Sequence, residues 1–218
     1  MYNETALKAN QKLTKILISQ IAQLIEASSG FDFDSMCKVL FCMRLWYHSP
    51  NSRANNFCSL WNHLDKLCQE RCKDWDKGQL LIMCDHWYRL NVFRIGYFGK
   101  QALQRILKKV KACTSPEIVQ SLFYVNVRRF FPDVNKVQMQ VHLVTLVSAL
   151  TVEEVGICAM AFFKTKSRIV SFALMEMMIR KFITGAETAN FLSITCLMKV
   201  SGDFFHGNNI SFNAFIYR

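Results

Sequence analysis

Residues 115–131, SPEIVQSLFYVNVRRFF, and residues 151–167, TVEEVGICAMAFFKTKS, read as two copies of one pattern set 36 residues apart. A third copy opens at Glu187 with ETANFLSITCLMKVSG, and a fourth lies the same step upstream, at Gln79. The aligned columns are apolar: Met83, Val119, Val155 and Phe191 form one, and Val125, Ala161 and Leu197 another. The second halves align as well, through Leu103, Met139 and Met175, through Leu107, Leu143 and Ile179, and through Val110, Leu146 and Phe182. A period of this length, with apolar residues at helical spacing in both halves, predicts one helix hairpin per unit. A hairpin cannot cover its own apolar face, so the pattern predicts an all-α superhelix, a solenoid of hairpins stacked on one another.

Punctuation supports that reading. Ser115, Pro116 and Glu117 form a helix start, with a cap, a proline at the first helical position and an acid facing the dipole. One step on, Thr151 and Glu154 have the spacing of a capping box. Turns within the hairpins are expected at Pro132–Asp133 and at Thr165–Ser167, and Gly185 marks a boundary between units. The first regular hairpin pairs Gln79–Leu90 with about Tyr97–Lys111. Residues 76–218 thus hold the repeats, and the last unit loses register past Gly202, so the chain is expected to be a fragment of a longer array.

Residues 1–75 read as less regular helices of the same array. The first, over about 5–27, has Leu13, Ile16, Leu17, Ile21 and Leu24 on one stripe and ends at Ser28, Ser29 and Gly30. Asp32 or Asp34 caps the second, with Cys37, Leu40, Phe41 and Leu45 expected inward, and the run from Ser49 to Ser52 breaks it. The third, over about 53–73, places Phe57, Leu60, Trp61, Leu64 and Leu67 on its apolar face.

Composition narrows the class. Apolar residues make up 51% of the 218, beside only 8 Gly and 3 Pro, which argues against disorder and favours helices over turn-rich β folds. The formal charge of +11 is spread over the whole chain and points to an anionic partner, nucleic acid foremost, or to a solvated basic surface. The nine cysteines are odd in number and mostly at apolar helical positions, so they read as reduced small hydrophobes. Cys68 and Cys72, near Cys58 and His63, have no second pair to complete a zinc site. The N-terminus reads as an amphipathic helix and not as a signal peptide. The longest uncharged run, Val137 to Val152, is too short for a membrane span and carries Gln138, Gln140 and His142.

The chemical pattern that recurs with the repeat is basic. Near the C-terminal ends of successive first helices lie Arg89 and Arg94, then Arg128 and Arg129, then Lys164, Lys166 and Arg168, then Lys199. In a regular stack these would line one edge and contact the phosphates of single-stranded RNA, with Tyr88 and Tyr124 offering faces to unstacked bases. The alternative is that they only complement helix dipoles, each contribution being roughly 0.3 to 1 kcal/mol. A second cluster, Lys100, Arg105, Lys108, Lys109 and Lys111, lies opposite Leu103, Ile106, Leu107 and Val110 and reads as a solvated face. Catalytic patterns are lacking. Asp85 and His86 are adjacent and point about 100° apart on a helix, so Asp85 is expected to orient a polar contact between hairpins. Gly96 to Lys100, GYFGK, lacks the residues of a phosphate loop and reads as a helix start. No cofactor, metal or small-molecule substrate is expected.

Three stretches carry a family resemblance: LLIMCDHWYRL (80–90), EIVQSLFYVNVRRF (117–130) and LTVEEVGICAMAFFKTKSRI (150–169). Together they resemble the helical region of the FAST kinase domain-containing proteins over roughly residues 76–185. The resemblance implies a protein of the mitochondrial matrix that binds RNA through a helical array and acts in processing, stability or translation of organellar transcripts; the lack of catalytic patterns adds the expectation that it is not an enzyme. The family's basic C-terminal RAP domain and an Arg-rich presequence are missing from this sequence. A protein-binding scaffold of the same fold, gripping a partner helix or peptide, is the alternative.

Overall fold

The computed structural model describes residues 32–47, 56–94 and 96–208, with scattered positions between 13 and 25. They are all-α. From residue 33 on, the described chain forms nine α-helices: α1 Phe33–Tyr47, α2 Asn56–Arg71, α3 Lys77–Arg89, α4 Phe98–Lys108, α5 Ser115–Arg128, α6 Lys136–Leu146, α7 Val152–Lys164, α8 Phe172–Thr184 and α9 Phe191–Asn208. Short 3-10 turns follow α4, α6 and α8, and the described residues contain no strand. The chain divides into two compact units, Met1–Ala102 and Leu103–Arg218, and the division falls within α4.

In the first unit an aromatic chain forms the core. Phe33 meets Trp75 edge-on with ring centroids 5.4 Å apart, Trp75 meets Phe98 at 5.8 Å, and Trp87 lies 6.5 Å from Phe98 and 6.0 Å from Trp61. The buried carboxylate of Asp65 on α2 accepts from the backbone N–H groups of Tyr97 (2.8 Å) and Phe98 (2.9 Å), capping α4 from a distant helix. A Cβ on Gly96 would stand 2.3 Å from Asp65 Oδ1, so only glycine fits there. The GYFGK stretch is therefore a helix start completed by a residue 31 positions upstream.

Burial in the first unit departs from the expected faces. Leu13, Ile16, Leu17 and Leu24 are exposed and Ile25 is buried. On α1 the buried residues are Met36, Leu40 and Met43, whereas Phe41 is 52% exposed. Asp32 caps this helix through Ser35 N–H at 2.8 Å, and the inward stripe is Met36, Leu40 and Met43 at i, i+4, i+7. On α2, Leu60, Leu64 and Cys68 are buried. Leu45 and Phe57 lie outside the residues whose side chains are described, as does the break from Ser49 to Ser52.

In the second unit α5 packs on α7 and α7 on α9, while α6 packs on α8. Side-chain oxygens start alternate helices: Asp76 for α3, Thr151 for α7 and Asn190 for α9, with Thr114 holding the same place before α5. Asp76 accepts from Gln79 N–H at 2.8 Å and Gln79 answers at 3.0 Å. Thr114 N–H donates to Glu117 at 2.7 Å, so the cap lies one residue before Ser115. These caps are 38, 37 and 39 residues apart, longer than the 36 of the sequence alignment. The difference shows in the columns. Met83, Val119 and Val155 are buried, but Phe191 becomes the first residue of α9 and is 85% exposed. Leu146 is half-buried, and Val147, opening the 3-10 turn as Val110 does, takes the buried place. The α7–α9 contact is close. A Cβ on Gly156 would stand 2.6 Å from Ser193 Cβ, so two small residues set the approach.

Candidate nucleic-acid interface

The cations of the second unit gather where its first helices end. In α5 the chain leaves the helix through Arg129 at φ 53°, ψ 34°, the left-handed region. Arg129 N–H donates to Asn126 O at 3.1 Å and Phe130 N–H to Val125 O at 3.4 Å, the paired bonds of a Schellman motif. α7 ends in the same way. Lys166, at φ 54°, donates to Phe163 O at 3.1 Å, and Ser167 donates to Phe162 O at 3.0 Å. Asn91, at φ 58°, follows α3, and all three left-handed residues stand 15 positions after their cap. Glycine is the ordinary occupant of that position because it carries no Cβ. Here two of the three are cations.

Arg129 and Lys166 are exposed, as are Lys164 and Arg168, whereas Arg128 is half-buried. The α5 and α7 ends touch: Phe131, just past Arg129, packs on Phe162 with centroids 5.7 Å apart, and Asn126 Nδ2 donates to Met160 Sδ at 3.1 Å. Five of the eight cations expected to line one edge therefore lie at neighbouring ends of two packed helices. Lys199 on α9 joins them, its Nζ 5.1 Å from the centre of the Phe163 ring. Arg89 and Arg94, both exposed, belong to the first unit. Arg89 ion-pairs with Asp85 one turn back on α3, so Asp85 serves its own helix where the sequence led us to expect a contact between hairpins. His86 is held below the ordinary histidine value, by burial first, with Arg89 and Arg44 adding to it.

The aromatic half of the expectation is corrected in part. Tyr124 is 2% exposed and its hydroxyl accepts from Gln120 Nε2 at 3.2 Å, so it belongs to the core and offers no face to a base. Tyr88 is exposed. The second basic cluster, Lys100 to Lys111, lies exposed over buried Leu103, Ile106, Leu107 and Val110.

Beside the end of α7 the structure forms a cavity of about 530 Å³, closed on its other side by the last turns of α9. Lys164, Lys166, Ser167, Arg168, Asp203 and His206 supply its polar lining. The Arg168 guanidinium reaches across to α9, its Nη1 3.7 Å from where a Cβ on Gly207 would stand. The loop carrying these groups is fixed from beneath by Gln140 on α6, itself 1% exposed. Its Nε2 donates to Arg168 O at 3.1 Å, and its Oε1 accepts from Val170 N–H at 2.9 Å and Ser171 N–H at 3.0 Å. A buried amide satisfied on both sides holds a loop with little freedom. Gln140, Ser167, Asp203 and His206 were missed by sequence reasoning. The one available signal was a glutamine inside the apolar run from Val137 to Val152, where a helix of pure core would have none.

Cys68 and Cys72 are buried thiols outside any disulfide, and the Cys72 thiol donates to Gln69 O at 3.1 Å. Cys58 lies outside the residues whose side chains are described. Burial raises the Cys68 thiol far above its ordinary value and pushes Cys158 up to about 12. Among the described residues no group of His, Cys, Asp or Glu is arranged to hold a metal ion, and no helix is long and apolar enough to cross a membrane. No family model, curated protein or solved structure matches this chain.

Proposed function

We propose that the chain is an RNA-binding solenoid of helix hairpins, non-catalytic, whose second unit contacts the phosphates of single-stranded RNA through Arg128, Arg129, Lys164, Lys166 and Arg168. Arg89 and Arg94 extend the same role to the first unit. The observation that carries this reading is the pair of cations at left-handed helix ends, 15 residues after equivalent caps and on neighbouring helices. A non-glycine residue in that region costs on the order of 1 kcal/mol. Dipole complementation does not require it, because a lysine one turn earlier complements the dipole without strain. The resemblance to the FAST kinase domain-containing proteins adds the setting: the mitochondrial matrix and the processing, stability or translation of organellar transcripts. The order of local features supports it too, since a cap, a left-handed residue and a closing 3-10 turn follow one another three times along the chain.

The test is a double charge reversal, Arg129→Glu with Lys166→Glu, assayed for binding to single-stranded RNA across a salt series. Two lost phosphate contacts lower the slope of log affinity against log salt by about 1.4. An unchanged affinity and slope would reject the reading. The exposed apolar side chains Phe191, Leu192 and Met198 on α9 favour a second reading, a scaffold that binds a partner protein. That reading expects affinity that changes little with salt.

A further inference from the structure

The cavity between α7 and α9 has features that a strip of surface cations lacks. Ser167 is 8% exposed, lines the cavity, and its Oγ has no hydrogen-bond partner among the described residues. A buried hydroxyl left without a partner is costly, and native structures leave few of them. Around it stand Lys164, Lys166 and Arg168, none of which forms an ion pair among the described residues. Asp203 is the one acid in the lining, so Lys164, Lys166 and Arg168 set against it leave a formal excess of two positive charges. A phosphodiester within a strand carries one negative charge, and a phosphate monoester near neutral pH carries almost two. The monoester matches the excess. It also supplies three acceptor oxygens for two ammonium groups, a guanidinium and a hydroxyl donor.

The rest of the lining is largely apolar and includes Phe163, Ile169 and Phe204. A volume of about 530 Å³ lies within the range of small-ligand sites, so there is room for a nucleoside beside its phosphate. The loop needs no rearrangement to present its donors, because Gln140 already holds residues 168–171 from below.

Resting on the RNA reading for the strand as its source, we propose that this cavity takes the terminal phosphate monoester of a nucleotide, so that the protein prefers phosphorylated RNA ends to internal positions. Free nucleoside monophosphates share the chemistry and are the other source. The experiment measures fluorescence anisotropy of the full chain with one single-stranded RNA decamer in three forms: 5′-phosphate, 3′-phosphate and unphosphorylated. Adenosine monophosphate serves as competitor. One phosphorylated form should bind about tenfold more tightly than the unphosphorylated one. Ser167→Ala, which deletes one buried oxygen, should erode that preference while leaving binding of the unphosphorylated decamer less affected. Equal affinity for all three forms, with RNA still bound, overturns the end-binding pocket and leaves the RNA reading standing. Binding of adenosine monophosphate without binding of any decamer supports the pocket and overturns the RNA reading. Loss of all binding overturns both.

Discussion

A lysine at φ 54° and an arginine at φ 53° stand where a glycine would be free of strain, and that gives an opposed pair of expectations. Arg129→Gly and Lys166→Gly should each raise stability by about 1 kcal/mol, because the left-handed residue loses its Cβ clash, and should each weaken RNA binding. Thermal melts beside affinity measurements check this; a variant that lost stability as well as affinity would mean the side chain packs and does not bind. Cys158 gives a pH expectation. Burial moves its thiol from 9.0 to about 12, so below pH 9 neither state is ionised, and between 9 and 12 only the unfolded chain loses the proton. Stability from this group is full below pH 9 and falls as pH rises, by up to about 1.4 kcal/mol per unit. Cys158→Ala should flatten the decline of Tm between pH 9 and 11. The cations themselves were legible as residues, since charge type is written in the sequence. Their left-handed backbone was not, because no glycine marked it.

At the scale of elements, α4 depends on a carboxylate from α2. Asp65→Ala leaves the N–H groups of Tyr97 and Phe98 without their acceptor and should cost about 3 kcal/mol. Denaturant melts check it, and a loss well under 1 kcal/mol would show that solvent replaces the cap. Sequence reading recognised GYFGK as a helix start and could not name its cap, which lies 32 and 33 residues before the N–H groups it serves. Local caps fared better. Thr151 and Glu154 form the expected capping box, with bonds of 3.2 and 2.8 Å, because both partners lie within one turn. The inward face of α1 was misread because Cys37, Leu40 and Phe41 compete as an apolar stripe with Met36, Leu40 and Met43. Both have helical spacing, and only the neighbouring helices select between them.

For the whole molecule, a charge of +11 makes association with a polyanion steeply dependent on salt. If the five cations of the second unit each meet a phosphate, raising salt fourfold should lower affinity for single-stranded RNA about 100-fold. Titrations at 50 and 200 mM salt measure it, and a change of twofold or less would favour the apolar α9 face as the binding surface. The all-α class was legible from end to end of the described chain, because apolar spacing and local caps act over a single turn and need no tertiary partner. The expected 36-residue step does not match the spacing of the caps before α3, α5, α7 and α9, which is 38, 37 and 39 residues. The tertiary structure alone decided which cations share a place, that Tyr124 is core, and that Ser167 lines a cavity with its hydroxyl unpartnered among the described residues. Those are outcomes of packing between residues 30 or more positions apart, and a chain carries its composition and periods openly but not the distances that folding sets.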